Sequence, residues 1–304
     1  MIPRFPEFKV LDLHDKEIID SYNRKYPRYS DFNFSDLWSY NVDQDTELSI
    51  LNDNLVVKMA DYVDNKVILT FLGNNNSNDT VEELLKLVKR NPQYELGLIP
   101  EISICKLMNK NNSNINIIPD EDGYDYMFEV GDFLNLAGPA NKAKRNLLTR
   151  FEKEYPKSSL EQLNLLKEET IKDINILFYE WAENKGIKKL KIDKLTEYIA
   201  LNQFIAIADR LRILAMGLYI NNKMIGFSIC EFIANDYAII HFEKANIKFK
   251  GVYQKLKLST VESLKTYGVK KINYEQDLGL EGLRFAKNNM NPSNFNKKYK
   301  IVHA

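Results

Sequence analysis

The 304-residue sequence has little of what builds metal or disulfide centres. It carries two cysteines, Cys105 and Cys230, and three histidines, His14, His241 and His303. Cys105 falls in an apolar helix-like run and Cys230 in a strand-like run, Ile225 to Ile233. Neither has metal or redox spacing, so both read as buried thiols. The histidines are scattered, which argues against a histidine-based zinc centre. Excess charge of one sign is also missing: 42 basic and 42 acidic residues cancel, so no global basic field points to nucleic acid. The N-terminus, Met1 to Pro6, has no apolar run of signal-peptide type. Elsewhere charge interrupts the apolar runs too soon for a membrane span. These absences predict a soluble, cytoplasmic protein with no metal and no stable membrane insertion.

A 44% hydrophobic and 12% aromatic composition allows a large core. The length suits two domains. Residues 15–25 and 32–40 pattern as helices, and 47–51, 55–59 and 67–71 as strands. Asn52-Asp-Asn54 and Asp64-Asn65 supply residues that tolerate the positive φ of hairpin turns. Thr80-Val-Glu-Glu83 has the form of a capping box opening a helix with Leu84, Leu85 and Val88 on one face. A strand (94–98), a helix (101–108) and two strands (114–118, 124–130) follow. From residue 170 the order recurs. Ile171, Ile174, Phe178 and Trp181 mark one helix, and Ile192, Leu195, Tyr198 and Ile199 another. Strands are expected at 213–220, 224–233 and 237–243, a helix at 252–267, a strand at 271–274, a helix at 280–287 and a final strand at 295–302. Two copies of this size suit paired domains. The fold class expected is α+β with mixed sheets in tandem duplicated domains: 1–137, a basic connecting helix at 138–157, and 158–304.

The chemistry concentrates in the second copy. Tyr237-Ala-Ile-Ile-His-Phe-Glu-Lys-Ala-Asn246 precedes a turn with Gly251 and a helix; Lys271-Ile-Asn-Tyr-Glu-Gln-Asp277 follows. Two strands ending in acidic and hydrogen-bonding side chains, with a glycine turn into a helix, are how open sheets build sites. Alternation puts His241 and Glu243 on one face. Glu243 and Glu275 are candidate bases, since a protonated amine is no nucleophile. Tyr274 is a candidate proton donor, and His241 completes the catalytic set. Asp277 either joins Glu275 in holding an ammonium group or caps the helix that follows. Arg284 and Lys287 share a helix face and either clamp an anion or form structural bridges. Asn246, Gly251 and Tyr253 are candidate ligand contacts at the turn. Lys144 and Arg145, on the basic helix, are candidates for contacting donor phosphates, possible also with tRNA.

The repeated element order is that of the N-acetyltransferase superfamily, in which acyl donors lie between two splayed strands. That family's turn has two or more glycines; this one has Gly251 alone. At the residue level the blocks Tyr237 to Asn246 and Ile272 to Lys287, with Asn291-Pro292 and Lys298-Tyr299, resemble the bacterial family named after the C-terminal domain of phosphatidylglycerol lysyltransferase. Asp125-Tyr126, Leu136-Ala-Gly138, Lys144-Arg145-Asn146 with Phe151, and Asp31 to Trp38 extend the resemblance along nearly the whole chain. It implies tandem acyltransferase-like domains akin to Fem-type transferases, which carry aminoacyl groups from aminoacyl-tRNA to an amine or hydroxyl. The expected function is therefore acyl or aminoacyl transfer. A coenzyme-A-dependent N-acetyltransferase and a non-catalytic small-molecule-binding protein are the alternatives, and the oligomeric state stays open. No resident cofactor is expected; acyl-CoA or aminoacyl-tRNA would be a donor substrate.

Overall fold

The computed structural model of the chain describes residues 1–61, 66–108 and 114–304; the turn expected at Asp64-Asn65 lies outside them. The architecture is α+β, with two mixed sheets and eleven α-helices among the described residues. Two compact units divide it. Unit 1 comprises 1–126, 276–288 and 295–304, and unit 2 comprises 127–275 and 289–294.

In unit 1 the strands Glu47–Leu51, Asn54–Ala60 and Val67–Leu72 form an antiparallel meander. The first turn places Asn52 and Asp53 at φ 50° and 59°, the left-handed geometry that asparagine and aspartate accept most readily. The helix Ser77–Arg90 crosses over to the strand Tyr94–Pro100, which pairs parallel to the third strand at only three positions. Val81, Leu84 and Leu85 pack that helix on Val56, Leu69, Phe71 and Leu96. The helix starts a turn earlier than a capping box at Thr80 requires. Asn76 enters at φ 40°, and Thr80 is buried inside the helix. Its Oγ1 accepts hydrogen bonds from Asn54 Nδ2 (3.0 Å) and Asn52 Nδ2 (3.1 Å), so the hydroxyl secures the hairpin instead.

Unit 2 repeats the plan. Ser159–Leu163, Ile213–Ile220, Lys223–Ala234 and Tyr237–Ala245 form the antiparallel part. The helix Val252–Thr266 crosses over to Lys271–Asn273, again parallel over three registered pairs. Asn221 and Asn222 turn at φ 50° and 61°. The helical stripe expected from Ile192 to Ile199 is split between Lys189–Ile192 and Thr196–Ala206, with Leu195 as the residue that opens the second.

Each sheet is completed by a strand from the opposite half of the sequence. Met127, Phe128 and Glu129 pair with Asn273, Ile272 and Lys271 in unit 2. The expected last strand divides into Asn294–Asn296 and Lys298–His303. The second piece lies in unit 1 between Tyr94–Pro100 and Ile115–Pro119. The compact units are therefore discontinuous in sequence, unlike a continuous cut at 137 and 157. The basic helix, Lys142–Glu154, is also part of unit 2's core. Its Phe151 is fully buried against Leu218, Ile225, Val252 and Leu256, a contact worth about 1.5–3 kcal/mol. Both cysteines are free thiols. No helix among the described residues is long and apolar enough to cross a membrane.

Candidate functional site

The strands Tyr237–Ala245 and Lys271–Asn273 part company after Ile239 pairs with Asn273. The longer strand runs on to Ala245, while the shorter one turns away. Asn273 causes the turn: its Oδ1 accepts the Glu275 N–H at 2.6 Å. Glu275 is thereby held at φ 56°, a left-handed conformation costing a non-glycine residue about 1–3 kcal/mol. The sheet opens into a wedge, and side chains from both strands meet across it.

Glu243 is the wedge's inner carboxylate. The Tyr274 hydroxyl donates to its Oε2 at 3.4 Å, and the Lys257 ammonium lies 3.5 Å from Oε1. Burial pushes the Glu243 carboxyl above the usual range, and the Lys257 charge partly offsets this. Burial, then the charge of Glu243, raises Tyr274 well above an ordinary phenol. Phe128 and Phe133 hold the Tyr274 ring at 5.4 and 5.9 Å. Lys257 also lies 5.6 Å from the centre of that ring. Sequence reasoning passed over Lys257, because a lysine in an amphipathic helix reads as a solvated side chain. Its signal was its place on the helix following the Gly251 turn.

His241 lies deeper. The pairing of its strand with Lys223–Ala234 slips there: Phe242 faces Ile229 and Ile240 faces Cys230, leaving His241 as the extra residue of a bulge. Its Nδ1 lies 2.8 Å from Glu275 Oε1 and its Nε2 3.1 Å from Glu231 Oε2. With a side chain only 1% exposed, His241 joins two carboxylates and orients Glu275. Glu231 was also missed; a single carboxylate in the apolar run Ile225 to Ile233 was the available clue. Burial raises the neighbouring Cys230 thiol to about 12, so it is inert.

The turn before Val252–Thr266 is not open. Gly251 sits at φ 87°, and a Cβ there would lie 2.4 Å from the Leu147 carbonyl oxygen. The turn thus passes close against the helix Lys142–Glu154 at Leu147 and Phe151. Asn246 is engaged locally: its Nδ2 donates to Glu180 Oε2 (2.8 Å) and its Oδ1 accepts from Asn184 Nδ2 and the Lys248 N–H. Tyr253 lines the wedge side of the helix, and burial and Glu243's charge raise it to about 12. Arg145 donates to the carbonyls of Leu136 and Gly138, tying down the chain before its helix. Lys144 is buried, and both burial and the nearby Lys257 charge lower its pKa.

Asp277, Arg284 and Lys287 belong to unit 1 and are committed to one another's surroundings. Arg284 donates twice to Asp277, both bonds at 2.9 Å, and also to Asp122. Asp277 accepts from the Tyr126 hydroxyl (2.6 Å) and from the Gly279 N–H (2.9 Å), a turn bond ahead of the helix Glu281–Asn288. Burial alone would raise Asp277, but the Arg284 and Tyr126 hydrogen bonds outweigh it and the carboxyl is lowered. Lys287 donates to the Gln276 carbonyl at 2.7 Å. These groups fix the segment that follows the wedge.

Residues 23–302 match the profile of the family described as phosphatidylglycerol lysyltransferase, C-terminal. A conserved protein of unknown function from Bacteroides thetaiotaomicron superposes with a TM-score of 0.81 at 24% identity, covering 100% of both chains. The L-PGS of Bacillus licheniformis superposes at 0.60 with 13% identity, over 99% of this chain and 93% of that one. FemX superposes at 0.62 with 8% identity, over 97% and 96%. No curated protein matches. At these identities the likeness carries the fold alone, two mixed α/β units shared with the lysyltransferase C-terminal region and FemX.

Proposed function

The chain belongs to the family of the phosphatidylglycerol lysyltransferase C-terminal domain, and from that premise we propose that its second unit transfers an aminoacyl group from aminoacyl-tRNA to an amine or hydroxyl acceptor. The observation that carries this reading is the wedge, where one ionisable acid, one phenol and one ammonium group meet at a break in the sheet. That set matches the needs of ester aminolysis. The acceptor nitrogen attacks the ester carbonyl and yields its proton to Glu243. The Lys257 ammonium faces the oxyanion that forms on the carbonyl oxygen. As the carbon–oxygen bond to the tRNA ribose breaks, Tyr274 gives its proton to the leaving oxygen and recovers one from Glu243. An amide and a free ribose hydroxyl result, and the protein returns to its starting state. Glu275, positioned by His241 and Glu231, supplies acceptor oxygens suited to a substrate ammonium group.

Transfer by a simple coenzyme-A route fits less well. The Leu147 carbonyl presents an acceptor to the turn that would need to receive pyrophosphate, an anion. Thermal-shift measurements with charged tRNA and with acetyl-CoA separate the cases. Stabilisation by charged tRNA, together with release of its amino acid to an added amine, is the expected result. Glu243→Gln should lower that release about 100-fold or more, and Tyr274→Phe about tenfold or more. Stabilisation by acetyl-CoA alone would assign an N-acetyltransferase, and full activity in both variants would remove the proposed base and acid.

A further inference from the structure

Residues 185–194 form a projection on unit 2. At the end of the helix Glu168–Asn184, Gly186 adopts φ 77° and the Ile187 N–H returns to the Ala182 carbonyl at 3.0 Å, reversing the chain. The short helix Lys189–Ile192 follows. Ile192 is fully buried, and Asp193 accepts a hydrogen bond from Tyr179, so the base is anchored. Above these anchors Leu190 is 91% exposed. Lys185, Lys188, Lys189, Lys191 and Lys194 surround it in sequence, all exposed. Among the described residues their side chains make no hydrogen bond or ion pair. From Lys189 a mixed surface runs past Ile171, Ile176 and Tyr179, with Glu168, Glu180 and Glu183 along it.

We propose that this projection docks on an anionic lipid surface, with Leu190 entering the acyl boundary and the five lysines facing headgroup phosphates. The charge pattern selects that occupant. Lysines near an anionic leaflet are attracted within a Debye length, and an exposed aliphatic side chain gains by leaving water. A protein partner fits poorly, because lysine is depleted from interface cores and a lone leucine ringed by like charges builds no such core. A single-stranded nucleic acid would meet the lysines but find no aromatic ring among residues 185–194 on which bases could stack. This docking does not rest on the transfer reading.

Co-sedimentation of the full chain with vesicles tests it. Phosphatidylcholine vesicles doped with phosphatidylserine should bind the protein, and pure phosphatidylcholine vesicles should not. Added salt should weaken binding. Lys188→Ser and Lys189→Ser should each weaken it about fivefold. Leu190→Asn, which leaves charge unchanged, should weaken it on the order of tenfold. All three sites are exposed, so the thermal midpoint should hold and verify folding. Wild-type binding by Leu190→Asn would overturn insertion, and failure to bind either vesicle would overturn docking. Lysine-dependent binding of bulk tRNA in place of vesicles would assign the patch to nucleic acid and also overturn it. Phosphatidylserine is used so that any acceptor lipid bound at the wedge does not contribute.

Discussion

Replacing Gly251 by alanine tests whether the turn below the wedge is filled by protein. Two costs are expected. The backbone sits at φ 87°, which an alanine occupies at about 1–2 kcal/mol. The new Cβ would also lie 2.4 Å from the Leu147 carbonyl oxygen and 3.1 Å from Phe151 Cβ. The first contact involves backbone of a helix whose Phe151 is locked in the core, so the helix must shift, at about 1–3 kcal/mol. Gly186→Ala isolates the first cost: it closes a helix in the same left-handed region at φ 77°, and nothing lies within 4 Å of its Cβ. The entropy lost from the unfolded chain is the same for both and cancels. Thermal unfolding followed by circular dichroism should place Gly251→Ala about 2–12 °C below Gly186→Ala, at about 2–4 °C per kcal/mol. Equal midpoints would mean that the Leu147 carbonyl does not press on the turn. The case against a phosphate ligand there would then fall.

Stability should depend on pH through Glu243, whose folded pKa is raised by burial. Its stabilising contribution is complete below the ordinary carboxylate pKa and fades as pH rises through the raised value, so Glu243→Gln should gain stability relative to wild type over that rise. A difference independent of pH in denaturant titrations would contradict this. Lys298 is wholly buried between Asp31 and Asp125, 2.7 Å from the latter. Lys298→Met leaves two buried carboxylates uncompensated and should cost about 3–5 kcal/mol in urea unfolding, and a neutral effect would refute the pairing. Arg284 is 41% exposed on its side chain, so after screening Arg284→Ala should cost about 1–2 kcal/mol. Asp277 is lowered, so its contribution is present above the ordinary aspartate pKa and lost as pH falls through the depressed one. Acid titration of Arg284→Ala should show a shallower loss than wild type.

Turn chemistry and side-chain period were legible without coordinates. Asn52-Asp53 and Asn221-Asn222 announce hairpins because few residues adopt φ near 50–60° at low cost, and they do so here. The break after Asn273 was also visible as a cluster of polar residues at a strand end. What escaped notice was recognisable only through distant partners. Glu231 and Lys257 look like stray charges until His241 and Glu243 are brought beside them. Arg284 and Asp277 read equally as ligand groups or as structural ones, and their pairing with each other and with Asp122 and Tyr126 could not be seen locally.

The sequence by itself determined the elements, their duplicated order and the candidate residues on the two strand ends, because φ preferences and hydrophobic period act between near neighbours. Only the tertiary structure decided which sheet received each end strand, what filled the Gly251 turn, and which carboxylate met which cation. Strand pairing and charge pairing are set by hydrogen bonds and burial between residues far apart in the chain. A local pattern holds no record of them.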